Sequence, residues 1–305
     1  LGASAYGRSF GLGIQPWWLG SMKFTYIDAL LLLAALWGGS FLFMRIAARV
    51  LGPVWLIECR VLLAGLLQLP VLAKLGLLGE LQRNLISLFL VGCLNSATPF
   101  LLLAFASVSL PTGLTSILNG TAPLFGTVVA SVWLHEKLTP ARIAGLMLGF
   151  VGVVIVVGWK TIDTTPGSLM AIVAALLAAL MYAIAAPYIK QTLKDVPSLV
   201  ATTGSQLGAA LIILPALPLT VPQQVPSLKV VISVLALAIL STAFAYLLFF
   251  RLIQTIGSTK ALTVTYLVPI FAMLWGTVVL QETVTSSMML GCGLVLLGTA
   301  IANNV

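Results

Sequence analysis

Glu58 and Arg60 are the two strongly charged side chains that fall well inside an apolar run, and charge at such depth is costly enough to imply a task. Two positions apart on a helix they face different directions, so each needs its own partner or water. Glu58 lies near the start of its run, within reach of an interface, and Arg60 lies deeper. Asn95 and Asn119 are the next most demanding groups, because a primary amide in hydrocarbon requires partners and can bond both carboxylate and ammonium. Around them lie the hydroxyls of Ser96, Thr98, Ser116, Thr121, Ser241, Thr242, Thr263 and Thr265, and the phenol of Tyr266. Such groups line polar cavities, and Ser and Thr also serve simply in helix packing; both readings stand. Trp37, Tyr182 and Tyr246 offer aromatic walls for an apolar side chain or, by cation–π contact, for an ammonium group.

Most enzyme chemistry is excluded by what surrounds the few reactive groups. The chain has one histidine, and His135-Glu136 lacks the second His of a zinc-protease motif because Thr139 stands in its place. There is no GxSxG elbow, no P-loop and no CxxC pair; Cys59, Cys93 and Cys292 all fall in apolar runs and read as small buried hydrophobes. No metal site and no cofactor are expected. Asp28, Glu80, Glu136, Asp163, Asp195 and Glu282 lie at or near the ends of runs, which leaves Glu58 as the candidate buried proton carrier. With a single such carboxylate, a process that moves no proton stands beside one that does. Glu136 and Glu282 are expected to order short turns by bonding the free N–H groups of the helix that follows.

The elements that must hold these residues are membrane helices. Sixty per cent of residues are hydrophobic and 7% charged, with a mean hydropathy of +1.15, a composition that a bilayer solvates directly. Ten runs can each span the hydrocarbon, at 26–48, 54–73, 84–105, 112–133, 141–158, 168–189, 198–217, 229–250, 259–280 and 286–302. Connections on one side carry Arg45, Arg49, Lys160 and Lys229; those on the other carry Lys23, Lys74, Arg83, Lys137, Arg142, Lys190, Lys194, Arg251 and Lys260. The richer side faces the cytoplasm, so both termini are expected there, and the net charge of +8 reads as topology and attraction to lipid rather than to nucleic acid. Residues 1–23 read as an appended segment ending in Gly20-Ser21-Met22, with Met22 as the natural start; a native interfacial segment anchored by Trp17 and Trp18 is the alternative.

One passage occurs twice, 146 residues apart: Pro123, Glu136, Thr139, Gly145 and Gly152 correspond to Pro269, Glu282, Thr285, Gly291 and Gly298. A unit of five helices is odd-numbered, so its second copy enters the membrane from the opposite side. Residues 24–160 and 161–305 then form inverted halves, an arrangement that recurs in transporters with a midplane site between halves. The same offset pairs Arg60 with Gln206, Ser96 with Thr242 and Phe100 with Tyr246. Pro99, Pro123, Pro187 and Pro269 each free a carbonyl one turn earlier, and mark expected hinges beside a wetted path.

Together with Trp37-Gly38-Gly39-Ser40-Phe41, the segment from Arg60 to Leu66, and Ala104-Phe105-Ala106, the doubled Pro…Glu pattern resembles the EamA family of the drug/metabolite transporter superfamily over about residues 25–303. The resemblance implies an all-α integral membrane protein, a bacterial inner-membrane exporter of small metabolites, with broad nonpolar and aromatic amino acids as substrates. It also puts Arg60 at a recurrent family position, suggesting a clamp on backbone carbonyls, with a substrate carboxylate as the other reading. The expected substrate-binding set is Trp37, Asn95, Ser96, Asn119, Thr121, Tyr182, Thr242, Tyr246 and Tyr266, with Asn95 and Asn119 on the polar end of the substrate. Its partners are then a small molecule and lipid, with no nucleic acid, and the chain acts as a monomer. A multidrug or hydrophobic-cation exporter, a lipid flippase and, more distantly, a non-transporting assembly subunit are the alternatives.

Overall fold

The computed structural model describes residues 25–133, 135–158 and 165–303; the segment 1–23, Lys160 and Asp163 lie outside them. The described residues are mainly helical, with no strand among them. Helix α1 (Tyr26–Lys74) is followed by α2 (Leu78–Arg83) and α3 (Leu85–Val91). A π-helical stretch, Gly92–Ala97, joins α3 to α4 (Thr98–Ser109), and α5 (Thr112–Asn119), α6 (Ala122–Trp133) and α7 (Pro140–Gly158) complete the first half. The second half runs through α8 (Pro166–Thr192), α9 (Ser198–Ile213), a 3₁₀ turn at Leu214–Leu219, and α10 (Leu228–Ala238). A second π stretch, Ile239–Phe244, leads to α11 (Ala245–Ile256), α12 (Ser258–Leu262), α13 (Val264–Leu280) and α14 (Ser286–Ala302).

Local chemistry sets where helices begin. Thr25 and Asp28 close a reciprocal capping box at α1. The hydroxyl of Thr139 accepts from Arg142 N–H at 3.3 Å, and that of its counterpart Thr285 accepts from Met288 N–H at 3.2 Å. Helix α1 is two helices in one: at Gly52 the backbone turns to φ 72°, ψ 162°, which a residue with a Cβ rarely adopts. The arms fold back on each other, because Arg60 reaches Met44, equally far from Gly52 on the other side.

Seven helices among the described residues are long and apolar enough to cross a membrane, and Ser286–Ala302 is a shorter apolar one. The expected ten runs differ from that number for identifiable reasons. Two of them share α1 across Gly52, and the run 112–133 is divided at Gly120-Thr121 into helices of 8 and 12 residues. Leucine-, valine- and alanine-rich outer faces leave Leu66, Ile86, Val132, Met147, Val154, Leu211 and Ile232 exposed, as lipid-facing residues are. This is a multi-pass integral membrane protein.

The arms of α1 form the middle of the bundle, packed against α4, α9, α10, α11 and α13. Helices α7 and α14 form the most extensive pairing and run antiparallel. A methyl on Gly145 would lie 2.6 Å from the Gly298 carbonyl oxygen, and one on Gly152 would lie 2.8 Å from that of Gly291. Glycine at all four positions is what lets these backbones touch.

Candidate functional site

Both π stretches fall at the same place in the two halves: shifted by the repeat interval, Gly92–Ala97 lands within one residue of Ile239–Phe244. Pro99, without an N–H, explains the first. The second has no proline; the Thr242 hydroxyl instead donates to the carbonyl of Leu237, five residues back, at 2.8 Å. Wide turns of this kind are often found at functional sites. Here they present Ser96 and Thr242, both fully buried, to the other half of the molecule.

What meets them is a matched pair of bonds. Arg60 Nε donates to Thr242 Oγ1 at 3.0 Å, and Gln206 Nε2 donates to Ser96 Oγ at 3.3 Å. Each residue of one bond is the repeat counterpart of a residue of the other. The Arg60 guanidinium also lies 3.6 Å above the centre of the Phe100 ring and points one nitrogen at the Met44 sulfur, 3.9 Å away. Phe100 meets Tyr182 edge to face at 6.5 Å; Trp37 meets Tyr246 the same way at 6.1 Å and leans on Phe249 at 5.1 Å. Two aromatic pairs therefore flank a guanidinium near the middle of the bundle.

The sequence-derived residues divide accordingly. Trp37, Ser96, Tyr182, Thr242, Tyr246 and Arg60 come together around the π stretches. The partners of Arg60 are a hydroxyl, a thioether and a ring, so the expected clamp on backbone carbonyls is replaced by side-chain contacts. Asn95 is half-buried on the first π stretch, and Asn119, at the end of α5, keeps a buried amide oxygen without a partner. Thr121 is committed to the carbonyl of Leu118 at 2.6 Å. Thr263 and Thr265 likewise bond carbonyls of their own turn, and Tyr266 is half-buried beside them. Glu58 is 3% exposed, and neither carboxylate oxygen has a hydrogen-bond partner. Pro99 opens α4, Pro123 opens α6 just beyond the Gly120-Thr121 break, and Pro187 and Pro269 lie inside α8 and α13.

Sequence reasoning left out Gln206, Phe100 and Met44. The signal for Gln206 and Phe100 was present, since the repeat interval pairs them with Arg60 and Tyr246. Gln68 is a second omission: fully inside, it donates to the carbonyl of Ala243 at 3.2 Å and accepts from Thr203 at 3.4 Å, tying α1 to the second half.

A sequence profile of the EamA-like transporter family matches residues 25–158 and again 169–304. A chain from Archaeoglobus fulgidus described as an uncharacterized transporter is 24% identical over 274 residues, covering 89% of this chain and 96% of that one. A probable terminal-alkyne amino-acid exporter from Streptantibioticus cattleyicolor is 28% identical over 128 residues, 42% of this chain and 43% of its own. A crystal structure with 18% identity superposes with a TM-score of 0.65 over 90% of this chain and 96% of its own, a likeness of fold.

Proposed function

Because the chain belongs to the EamA-like transporter family, we propose that it exports small metabolites across the inner membrane of a bacterial-type cell, with nonpolar and aromatic amino acids as the main substrates. Ten spans form two inverted halves, residues 24–160 and 161–305, with both termini in the cytoplasm. Substrate is held between the halves and released by alternating access. Trp37, Tyr182 and Tyr246 contact the substrate's side chain, and the prolines and Gly52 absorb the bending. The observation that carries this reading is the antiparallel α7–α14 seam, in which Gly145 meets Gly298 and Gly152 meets Gly291. Crossed, reciprocal contacts of this kind are what an in-plane two-fold axis generates. The amino-acid assignment draws on the partial similarity to an amino-acid exporter.

The test is counterflow in proteoliposomes with a panel of amino acids and cationic dyes, with and without a pH gradient. Exchange of aromatic amino acids is expected, and a chain that exchanges only dyes sinks the assignment. Asn95→Ala and Asn119→Ala sharpen it. If the amides hold the polar end of the substrate, each variant slows exchange by about tenfold, as loss of a hydrogen bond to a charged group does; unchanged rates remove them from the site. Reporter fusions that put the two termini on opposite sides of the membrane would overturn the inverted topology.

One observation favours a second reading, a hydrophobic-cation exporter or lipid flippase. An apolar groove of about 190 Å³ lies between α1, α9, the second π stretch and α11, lined by Leu67, Val71, Leu199, Ile239, Phe244 and Leu247. Dye exchange that exceeds amino-acid exchange in the same vesicles would select it.

A further inference from the structure

Arg60 is 5% exposed, and no carboxylate of the protein neutralises it among the described residues. Asp28 is committed to Thr25, and Glu80, Glu136, Asp195 and Glu282 to Arg83, Arg142, Lys194 and Arg45. Glu58 lies on the same helix but faces elsewhere, its oxygens unpartnered. A buried cation without a counterion is costly and implies an anion from outside the chain. The guanidinium has five donors, of which Thr242 and Met44 engage two. The rest form a planar fork suited to bidentate capture of a carboxylate.

The repeat supplies the complementary half of the site. Gln206 occupies the position equivalent to Arg60 and makes the equivalent bond, yet it is neutral. Its side chain is 1% exposed, and its amide oxygen has no partner. An unpaired acceptor buried this deeply suits a cationic donor. Arg60 rests on Phe100 and Gln206 on Ser96, residues four apart on the run that leads from the first π stretch into α4, so both groups attach to one continuous segment. An α-amino acid carries both complementary charges on one carbon, so a single head group answers the guanidinium and the amide oxygen together. Two halves built alike have diverged at one pair of positions into a cation and an acceptor, the polarity of a zwitterion.

We propose that Arg60 binds the substrate's carboxylate and the Gln206 amide oxygen binds its ammonium group, with Phe100 holding the guanidinium from its face. The assignment deepens the export reading above and rests on it for the transport step. A phosphate ester, with more charge to neutralise, is disfavoured by there being one buried guanidinium among the described residues.

The experiment uses the full chain in proteoliposomes with four probes: phenylalanine, phenylalaninamide, phenethylamine and phenylpropionate. Wild type is expected to exchange phenylalanine at least about tenfold faster than either probe lacking the carboxylate, the loss expected for one charge-assisted bond. Arg60→Met removes that preference, Arg60→Lys restores part of it, and Gln206→Leu narrows the gap between phenylalanine and phenylpropionate. Equal exchange of phenylalanine and phenethylamine by wild type overturns the site and leaves export standing, and so does an Arg60→Met rate within twofold of wild type. If wild type exchanges no amino acid, the export reading fails, and the site is then judged by thermal stabilisation of detergent-purified protein. Stabilisation of wild type, and not of Arg60→Met, by the two carboxylates upholds it; equal stabilisation, or none, overturns it.

Discussion

The turns that carry Glu136 and Glu282 share one backbone and part company at the side chain. His135 and Gln281 take φ of 54° and 57°, and the N–H of the following glutamate reaches back six residues, to Ala130 in one turn and Gly276 in the other. Both were expected to bond the start of the next helix. Glu136 instead stays within its hairpin, pairing with Arg142 at 2.9 Å while 45% exposed. Glu282 crosses to the other half, accepting from Thr112 N–H at the start of α5 at 2.8 Å and pairing with Arg45 at 3.3 Å, the two side chains 13% and 17% exposed. Arg45 in turn donates to the carbonyls of Ser107 and Val108, and Arg49 to that of Val108. One end of the bundle is thus laced together by a carboxylate that its twin does not use.

A methyl group and a cation separate the two cases. A methyl added at Gly276 would lie 2.5 Å from Glu282 Oε2 and 3.2 Å from Thr112 Cβ. The counterpart, Ala130, carries that methyl. Where the repeat interval puts Arg45 it also puts Gln191, so Glu136 finds neither the room nor the cation for the same reach. The lesson is that a repeated glutamate is a repeated turn, while its task is decided by the residue beneath it.

Substitutions test that contrast in order of size. Glu282→Gln leaves Arg45 largely buried without its counterion and is expected to lower stability by about 3 kcal/mol, the lower end of what breaking a buried pair costs because both side chains keep some exposure; thermal unfolding of the purified protein measures it. Gly276→Ala forces the carboxylate off Thr112 N–H at a cost of about 1–3 kcal/mol, the usual range for overpacking. In a double-mutant cycle with Glu282→Gln the two effects should fall well short of additive, and full additivity would show that the methyl acts elsewhere. Glu136→Gln, at an exposed pair, should change stability by no more than about 0.5 kcal/mol. An unfolding shift as large as that of Glu282→Gln would erase the distinction between the turns.

Much of the architecture was legible because hydrophobic run length, proline, glycine and an exact interval act locally and repeat. Thr139 and Thr285 cap the helices their sequence marks, and the pairing of Arg60 with Gln206 and Ser96 with Thr242 foretold which residues would play equivalent parts. What the pattern does not encode is which half a side chain reaches into. Glu282 finds Thr112 and Arg45 across 170 and 237 residues of chain, distances at which no local rule operates. The π stretches were half legible: Pro99 marked a break at the first, whereas the second rests on a hydroxyl bond between Thr242 and Leu237 that only the folded helix reveals.

The glycine seam of α7 and α14 has a consequence for the chain's halves taken separately. Its interface is isologous: residue i meets j and j's twin meets i's. A single repeat made alone would therefore display a face shaped to accept an antiparallel copy of itself, and what the fused chain adds is a permanent supply of that copy.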